Sequence, residues 1–347
     1  MRILVATDTW HPHINGVVQT LSELACAAPA LGATIAFLSP DGLRSLPMPT
    51  YPGLRLAVAR PRTIAQRIVD LRPSAIHIAT EGPIGLLVRR YCIANGLAFT
   101  TSFHTRFPEY VSARSPIPES WTWAALRRFH GAAGGVMAAT PALEAELASR
   151  GFDNVMAWPR GVDAALFRPR PGADLGLPRP VFLTVGRVAV EKNLEAFLAL
   201  DLPGTKVVVG DGPARADLMR RFPEAVFRGV RRGEELAQAY AAADAFVFPS
   251  RTDTYGLVLL EALASGVPVA AFPVCGPRDV VGTAPVAALD EDLRAACLKA
   301  LTLSRDDCRT FALEKSWDAS ARMFLANVRR VGMSAAVAAA QPSEAIA

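Results

Sequence analysis

Short apolar runs alternate with longer amphipathic stretches along most of this chain, in two successive series. The first series comprises residues 3–6, 34–38, 75–78, 98–102 and 135–139, and the second comprises residues 181–185, 206–209, 225–227, 245–248 and 268–271. Helical patterns such as residues 17–30 and 82–94 lie between the runs. This alternation is typical of βαβ units that build a parallel sheet. The sequence therefore predicts two α/β, Rossmann-like domains.

A stretch rich in proline and glycine separates the two series. Residues 167–180 contain four prolines and two glycines and show no periodicity, which is typical of an interdomain connector. We therefore predict an N-terminal domain over residues 1–166, a linker over residues 167–180 and a C-terminal domain over residues 181–315. For residues 316–331 we predict an amphipathic helix that closes the fold by packing back toward the N-terminal domain. For residues 332–347 we predict a flexible tail. Two similar domains also imply a cleft.

The positive charge is concentrated in the first half of the chain. Residues 1–179 hold 18 arginines and 12 acidic residues, a net charge of +6, whereas the remainder carries −1. No basic stripe interleaved with aromatic residues is visible, so we predict an anionic membrane surface or a charged acceptor as partner and no nucleic acid. Residues 112–128 combine Arg114, Arg127 and Arg128 with Trp121 and Trp123. This composition fits interfacial membrane binding, and a helix packed in the core is the alternative.

The sequence also bears on location and on cofactors. It has no uninterrupted apolar run of 18 residues, and its N-terminal run soon meets Asp8, so we expect a cytoplasmic protein, free or peripheral on the inner membrane surface. Five scattered cysteines without a C-x-x-C pair favour reduced thiols. Neither an H-E-x-x-H motif nor an EF-hand loop is present, and we predict no metal and no cofactor.

The most informative segment follows the predicted strand at residues 245–248, where a loop with a carboxylate leads into a helix. Unpaired backbone N–H groups at a helix start bind anions, which predicts a diphosphate there. Glu261 lies one turn further in, where it is placed to accept hydrogen bonds from a ribose diol, and Asp253 lies beside the sugar. A capped surface helix with a solvated Glu261 is the alternative. The residues predicted to contact this diphosphate ligand are Asp253, Tyr255, Gly256, Leu257, Val258 and Glu261.

A second segment places two cations after the strand at residues 181–185. Arg187 is followed by Lys192, which is one of only four lysines in the chain. Breaking a glycosyl phosphate bond builds negative charge on the leaving group, and two fixed cations can stabilise that charge in place of a metal. We therefore predict that both side chains meet the leaving diphosphate. The alternative is a strand end with solvated side chains.

These two segments resemble the signature of glycosyltransferase family 4. Asp253 is followed, after seven residues, by Glu261 and then by Ala-Leu-Ala-Ser-Gly-Val-Pro-Val, and Gly186-Arg187 is followed by Glu191-Lys192-Asn193. The family usually has Glu at the first position and often has Phe in place of Tyr255, and both differences are conservative. The resemblance implies the GT-B fold and a retaining transfer, with donor binding in the C-terminal domain and acceptor binding in the N-terminal domain.

The resemblance also assigns residues that spacing alone leaves open. It implies that the backbone near Val230 holds the base and that Gly16, at a helix start, lets the backbone approach the donor. His104, at the end of the strand over residues 98–102, would contact the transferred sugar. Asp8 is a candidate for the acceptor, with a loop-capping role equally open. Cys275 stands where relatives often have the first glycine of a pair. The candidate acceptor contacts are Asp8, Trp121 and Trp123, and the candidate catalytic residues are His104, Arg187, Lys192 and Asp253.

We therefore expect a retaining, metal-independent hexosyltransferase in which the nucleotide sugar is a substrate. The expected reaction moves a hexose from a UDP-sugar to a hydroxyl of a membrane lipid such as diacylglycerol. A GDP-mannose-dependent α-mannosyltransferase acting on a lipid or glycan is the main alternative. A sugar-nucleotide epimerase would share the fold but lack the combination of Arg187, Lys192 and Glu261, and a sugar-nucleotide sensor would dispense with His104.

Overall fold

The chain folds into two compact units. The computed structural model describes residues 1–11, 15–48, 51–104, 118–253 and 255–340, and for residues 47–48, 51–55 and 333–340 it describes the backbone alone. One unit comprises Met1–Pro159 with the segment from Asp318 onward, and the other comprises Arg160–Trp317. The division falls between Pro159 and Arg160, so the proline-rich residues 167–180 belong to the second unit instead of forming a separate linker.

The N-terminal unit contains a parallel sheet of six described strands. They are β1 (Arg2–Ala6), β2 (Thr34–Leu38), β5 (Ala75–Ile78), β6 (Phe99–Ser102), β7 (Gly135–Ala138) and β8 (Val155–Ala157), in the order β2-β1-β5-β6-β7-β8. An antiparallel hairpin, β3 (Arg44–Met48) with β4 (Tyr51–Val58), lies outside this sheet and was not expected from the sequence. The helices are α1 (Gly16–Ala27), followed by a 3-10 turn (Ala28–Leu31), α2 (Pro61–Leu71), α3 (Pro83–Ala94), α4 (Glu119–His130) and α5 (Pro141–Ser149).

Alternation along β1 gives this sheet two apolar faces. Ile3 and Val5 join a core cluster with Leu21 of α1, whereas Leu4 and Ala6 pack in a second cluster on the other face. Successive side chains of a strand point to opposite faces, so a strand buried on both sides reads as a continuous apolar run. That is why the sequence showed short uninterrupted runs.

The C-terminal helix completes the first of these cores and is longer than the sequence predicted. It spans Trp317–Ala340, and Ala321, Phe324 and Val328 are buried in the cluster that holds Ile3 and Val5. The helix thus continues through residues 332–340, the first part of the stretch predicted as a flexible tail. Alanine has the highest helix propensity, and adding residues to an existing helix is favourable, so an alanine-rich end extends it. Residues 341–347 lie outside the described part of the chain.

The C-terminal unit repeats the parallel plan. Its strands are β9 (Val181–Val185), β10 (Thr205–Val209), β11 (Val226–Gly229), β12 (Ala245–Phe248), β13 (Val269–Ala271) and β14 (Ala287–Leu289), in the order β11-β10-β9-β12-β13-β14. Its helices are a 3-10 turn (Val190–Lys192), α6 (Leu194–Leu198), α7 (Arg215–Arg221), α8 (Gly233–Ala241), α9 (Leu257–Ala264), α10 (Cys275–Val281), α11 (Leu293–Ala300) and α12 (Arg305–Leu313), which precede the C-terminal helix α13. The prediction of two parallel-sheet α/β domains is confirmed.

This strand order fixes where a ligand is expected. The order reverses between β9 and β12, which pair with each other in parallel. Open α/β sheets bind ligands outside the carboxyl ends of the strands at such a switch point. The loops that leave β9 and β12 are the two segments that carry the sequence motifs.

Candidate functional site

Backbone contacts hold the loop after β9 against its neighbours. The N–H of Gly186 donates to the carbonyl of Val209 at 3.0 Å, and the N–H of Val188 donates to that of Asp211 at 2.9 Å. A Cβ on Gly210 would lie 1.9 Å from the carbonyl oxygen of Gly186, so only glycine allows this approach. The Gly-Asp-Gly-Pro turn after β10 therefore supports the loop that carries Arg187.

The two predicted cations each have an acidic partner. Lys192 forms an ion pair with Asp253, so the loops after β9 and β12 are joined across the switch point, and Arg187 forms an ion pair with Glu191. The second oxygen of Asp253 is shielded from solvent and has no hydrogen-bond partner among the described residues. The role of Glu191 was missed from the sequence. Joint contact of Arg187 and Lys192 with a diphosphate stays a prediction.

Helix α9 begins at this switch point with a glycine in the left-handed region. Gly256 has φ of 84° and occupies the N-cap, no side chain of the described residues caps the helix, and its first turn contains no acidic residue. Glycine adopts this conformation without steric cost. Such an N-terminus suits an anion, and contact of the backbone N–H groups near Gly256, Leu257 and Val258 with a diphosphate stays a prediction.

Glu261 is buried one turn inside α9. It is 5% exposed, and the hydroxyl of Tyr240 donates to its Oε2 at 2.8 Å. Burial and the neighbouring Glu261 raise the pKa of Tyr240 well above its ordinary value, so this phenol stays a donor. The alternative of a solvated Glu261 on a surface helix is therefore wrong. Tyr240, on α8, was missed because nothing in the local sequence relates it to Glu261.

Tyr255 and Val230 differ in how they lie beside this site. Val230 follows β11 and is 45% exposed, which leaves it accessible, while its predicted contact with a base stays a prediction. Tyr255 is partly buried against the core of the unit, and burial raises its pKa to about 12, while the nearby Arg160 acts in the opposite direction. Arg160 is itself 5% exposed, and burial lowers its pKa to about 10. No sequence motif had indicated Arg160.

The segment that departs from the family pattern packs against the Asp253 loop. A Cβ on Gly276 would lie 2.9 Å from the carbonyl oxygen of Asp253 and 3.3 Å from that of Tyr255, so the remaining glycine is needed for this contact. Cys275, in place of the other glycine, is exposed at the first residue of α10. Within the part of the chain that is described, no group of three or more His, Cys, Asp or Glu side chains is placed to hold a metal ion.

Asp8 in the N-terminal unit has a structural task. Its carboxylate accepts hydrogen bonds from the N–H groups of Ile84 and Gly85, at 2.7 and 3.2 Å, and from the hydroxyl of Thr80 at 2.9 Å. Burial raises the pKa of Asp8, although these three hydrogen bonds act in the opposite direction. Both oxygens accept hydrogen bonds in capping α3, which supports the capping alternative, and contact of Asp8 with an acceptor stays a prediction.

Gly16 and His104 lie where the sequence placed them, next to residues that already have local roles. Gly16 is exposed at the start of α1, where the side chain of Asn15 accepts hydrogen bonds from the N–H groups of Val17 and Val18 at 3.0 Å each. His104 follows β6 at the carboxyl edge of the sheet, with its ring centroid 5.8 Å from that of Trp158. Contact of either residue with a sugar or a phosphate stays a prediction.

The two tryptophans proposed for the acceptor have opposite environments. Trp121 is 71% exposed, whereas Trp123 is 3% exposed. Trp123 stacks on Phe103 with centroids 5.8 Å apart, donates to Glu119 at 2.9 Å and lies under the guanidinium of Arg150. The acceptor assignment of Trp123 is therefore wrong, because its ring is part of the core. Arg114, from the same predicted surface, lies outside the described residues.

Comparisons with known proteins agree on one class. Residues 14–166 match the family described as Glycosyltransferase Family 4, and residues 179–306 match Glycosyl transferases group 1. Sucrose-phosphate synthase from Thermosynechococcus elongatus has the same fold, with a TM-score of 0.79 at 20% identity over 96% of this chain and 99% of that one. With its two parallel-sheet units, the chain is thus a glycosyltransferase of the GT-B fold.

Sequence relatives give the family. A GDP-mannose-dependent alpha-mannosyltransferase of Mycobacterium tuberculosis is 30% identical over 81% of each chain. The Alpha-monoglucosyldiacylglycerol synthase of Streptococcus pneumoniae is 26% identical over 93% of this chain and 83% of its own length. Sulfoquinovosyl transferase SQD2 of Arabidopsis thaliana is 33% identical over 69% of this chain, which spans about half of the plant protein. The chain belongs to glycosyltransferase family 4.

These relatives are transferases, which favours a transferase over an epimerase or a sensor. None of the helices that the structure describes has both the length and the apolar character required to cross a membrane.

Proposed function

We propose that this enzyme transfers a hexose, with retention of configuration, from a UDP-sugar to a hydroxyl group of a membrane lipid such as diacylglycerol. The observation that carries the donor half of the proposal is the uncapped start of α9 beside the Lys192–Asp253 ion pair, with Glu261 buried one turn inside. Helix N–H groups suit a diphosphate, a buried carboxylate suits a ribose diol, and the unpartnered oxygen of Asp253 suits a sugar hydroxyl.

The cations at the switch point support a reaction without a metal. As the bond to the sugar breaks, the diphosphate gains negative charge, which Arg187 and Lys192 stabilise from the loop after β9. Both must exchange a carboxylate partner for the phosphate, Glu191 in one case and Asp253 in the other. Donor binding therefore also releases the carboxylate of Asp253 toward the sugar.

Retention follows from the roles assigned to the carboxylates. A double displacement needs a carboxylate against the anomeric carbon on the face away from the leaving group. In this proposal Asp253 binds sugar hydroxyls and Glu261 binds ribose, so neither serves as the nucleophile. The acceptor hydroxyl attacks from the face that the diphosphate leaves, the diphosphate takes its proton, and His104 orients the sugar.

The proposal of a lipid acceptor is supported by charge, by exposure and by one relative. The first 179 residues carry +6, and Trp121 is exposed on α4 beside the exposed Arg128. A helix with an exposed aromatic residue and basic side chains suits an anionic lipid surface. The pneumococcal relative is named as a diacylglycerol glycoside synthase. Peripheral binding at the inner face of the membrane fits this acceptor.

A second donor has specific support. GDP-mannose-dependent alpha-mannosyltransferases match four fifths of this chain, which favours GDP-mannose over a UDP-sugar as the donor. The match to the pneumococcal relative favours a lipid acceptor to a similar degree. The test is a screen of UDP-glucose, UDP-galactose and GDP-mannose, each with membrane lipid extract, with and without EDTA. Acceptor-dependent release of UDP supports the first proposal, and release of GDP supports the second.

Three further measurements test the mechanism and the acceptor. Proton NMR of fresh product identifies the anomer, and an inverted linkage or a trapped glycosyl-enzyme contradicts the mechanism. Loss of turnover in EDTA with rescue by magnesium contradicts metal independence. Sedimentation with anionic vesicles should weaken as salt rises and in Trp121→Ala, with neutral vesicles as the control. Equal binding to both kinds of vesicle would favour a soluble glycan acceptor.

A further inference from the structure

The side chain of Asn193 connects the loop after β9 to the end of β12. Its amide nitrogen Nδ2 donates a hydrogen bond to the carbonyl of Pro249 at 3.1 Å, across 56 positions of the chain. Pro249 is the first residue after β12, and Asn193 is the residue after Lys192. The contact therefore lies next to the ion pair of Lys192 with Asp253, so the same two loops are joined twice.

Asn193 also ends the short turn that carries Lys192. The 3-10 turn comprises only Val190–Lys192, and the N–H of Asn193 donates to the carbonyl of Val190 at 3.0 Å. Asn193 itself has φ of 52° and ψ of 36°, in the left-handed region, and α6 begins directly after it. Asparagine adopts this conformation more readily than most residues that have a side chain. The residue type thus meets a requirement of the backbone.

The amide of Asn193 serves the opposite loop instead of its own helix. An asparagine at an N-cap commonly accepts a hydrogen bond from an N–H group of the first turn, but no side chain of the described residues caps α6. The amide nitrogen instead donates to Pro249. A carbonyl oxygen can only accept, so the NH₂ group is the part of the side chain that this contact requires.

A lysine at this place depends on such a support. The lysine side chain is a flexible four-carbon stem with a point charge at its end, so the position of its ammonium depends on where the backbone is held. The turn that carries Lys192 has no buried residue, and Val190 is 86% exposed. Core packing therefore fixes this turn only weakly. The hydrogen bond from Asn193 to Pro249 supplies a fixed point at its end.

We propose that Asn193 is a positioning residue, which holds the backbone of Lys192 so that its ammonium reaches the distal phosphate of the bound nucleoside diphosphate. This inference rests on the proposed donor site. The distal phosphate carries the bond to the sugar that breaks. Asn193 is assigned no contact with the donor, so its loss should act through Lys192 and should depend on the presence of that phosphate.

The main test compares Asn193→Gly and Asn193→Asp in the full chain. Both replacements tolerate the left-handed region, and neither has an amide that can donate to Pro249. By calorimetry, each should weaken binding of UDP or GDP, whichever the wild-type protein prefers, about three- to tenfold, the range for one lost hydrogen bond. Glycine adds flexibility without charge, and aspartate adds charge without that flexibility. Wild-type affinity in either variant would overturn the proposal.

The nucleoside monophosphate tests whether Asn193 acts at the distal phosphate. Asn193→Gly should weaken binding of UMP or GMP much less than that of the diphosphate. Asn154→Asp is the matched control, because Asn154 is a partly buried asparagine of the N-terminal unit whose amide donates to the carbonyl of Ala133 at 2.6 Å. It should lower Tm without changing either affinity. Equal weakening of both nucleotides by Asn193→Gly would indicate general loosening and overturn the proposal.

A double-mutant cycle tests whether the effect passes through Lys192. Lys192→Ala should weaken diphosphate binding about tenfold, the range for a lost hydrogen bond to a charged group. Asn193→Gly should add little further loss in that background, because residues that act through one another are not additive. Additive losses in the double variant would overturn the proposal.

Hydrogen exchange of the free protein provides a measurement that needs no ligand. In Asn193→Asp, the amides of residues 250–253 should exchange faster, although the substitution lies in the other loop, while the peptides of α3 should not change. Unchanged exchange of residues 250–253 would overturn the positioning role whatever the nucleotide results. If the wild-type chain binds neither UDP nor GDP, the proposed function fails, and the exchange result still decides whether Asn193 holds the two loops together.

Discussion

Each unit contains a parallel six-stranded sheet. The units differ in whether the polar groups at the carboxyl edge of the sheet have hydrogen-bond partners within the protein. In the N-terminal unit, Asp8 caps α3 and Asn15 caps α1. In the C-terminal unit, the corresponding edge has an uncapped helix start at Gly256 and an oxygen of Asp253 without a partner among the described residues. The side chains of Asp8 and Asn15 are thus occupied by their own helices, whereas the second oxygen of Asp253 retains hydrogen-bonding capacity.

This difference shows when a sequence motif indicates a ligand-binding site. A polar residue after a strand binds a ligand only if its own fold leaves it available, because buried donors and acceptors are usually satisfied within the protein. The C-terminal motifs meet that condition at the switch point between β9 and β12. Asp8 does not meet it, although it also follows a strand.

The largest effect should come from Arg187. Arg187→Ala should lower kcat/KM by about 10² or more, as for a lost transition-state donor. Arg221→Ala is a matched control, since Arg221 is also half exposed and pairs with a glutamate, Glu195, on the surface of the same unit. Initial rates with saturating lipid acceptor make the comparison. Equal rates for the two variants would mean that Arg187, at the switch point, affects catalysis no more than an arginine elsewhere on the surface of the unit.

A smaller and more specific effect is expected at Glu261. Glu261→Gln should weaken binding of the preferred nucleoside diphosphate about tenfold, because a hydrogen bond to a charged group is lost. The penalty should disappear with the 2′,3′-dideoxy nucleotide, which lacks the ribose diol. Calorimetry with both nucleotides measures this difference. The same penalty for both would mean that Glu261 acts through Tyr240 and α9 instead of through the ribose.

Asp8→Ala should affect folding and leave the donor site alone. Loss of a capping carboxylate costs about 1 kcal/mol of unfolding free energy. Asp292→Ala, which removes the cap of α11 in the other unit, should cost a similar amount. Chemical denaturation gives the stability and calorimetry the nucleotide affinity. A large loss of acceptor turnover in Asp8→Ala at unchanged stability would support an acceptor role and break the comparison.

The smallest effect concerns the exposed thiols. Cys26 lies on α1 and Cys275 at the start of α10, whereas burial raises the pKa of Cys92, Cys297 and Cys308 to about 12. Only Cys26 and Cys275 should therefore react readily with iodoacetamide at pH 8. The bound nucleotide should slow alkylation of Cys275 by about threefold and leave Cys26 unchanged. Mass spectrometry resolves the two sites, and equal protection would contradict a donor site confined to the C-terminal unit.

Much of the fold was predictable because strands buried on both faces are continuous apolar runs. The hairpin of β3 and β4 was missed since its sequence mixes Pro, Arg and Ser with apolar residues. The edge strands β8 and β14 have only three residues each, too few for a periodic signal. The extension of α13 was missed because alanine-rich sequence was interpreted as lacking a core pattern.

The site was predictable where its residues are close in sequence, as from Asp253 to Glu261. Contacts across long separations were not: Asp8 meets Ile84, and Lys192 meets Asp253. The assignment of Trp121 and Trp123 to one surface was avoidable. Residues two apart on a helix do not face each other, so both could not have been exposed on one face.

The C-terminal unit is one uninterrupted segment inserted into the other, with its two ends joined. Gly161 packs on the backbone of Ser316 and Trp317, so the unit leaves and re-enters its host at neighbouring points. Domains whose termini lie close together tolerate insertion and circular permutation. Residues 160–317 can therefore be exchanged as one segment between relatives to make chimeras. Such an exchange needs no redesigned linker. If this unit binds the donor, as proposed, such a chimera should have the donor preference of the protein that supplies the segment.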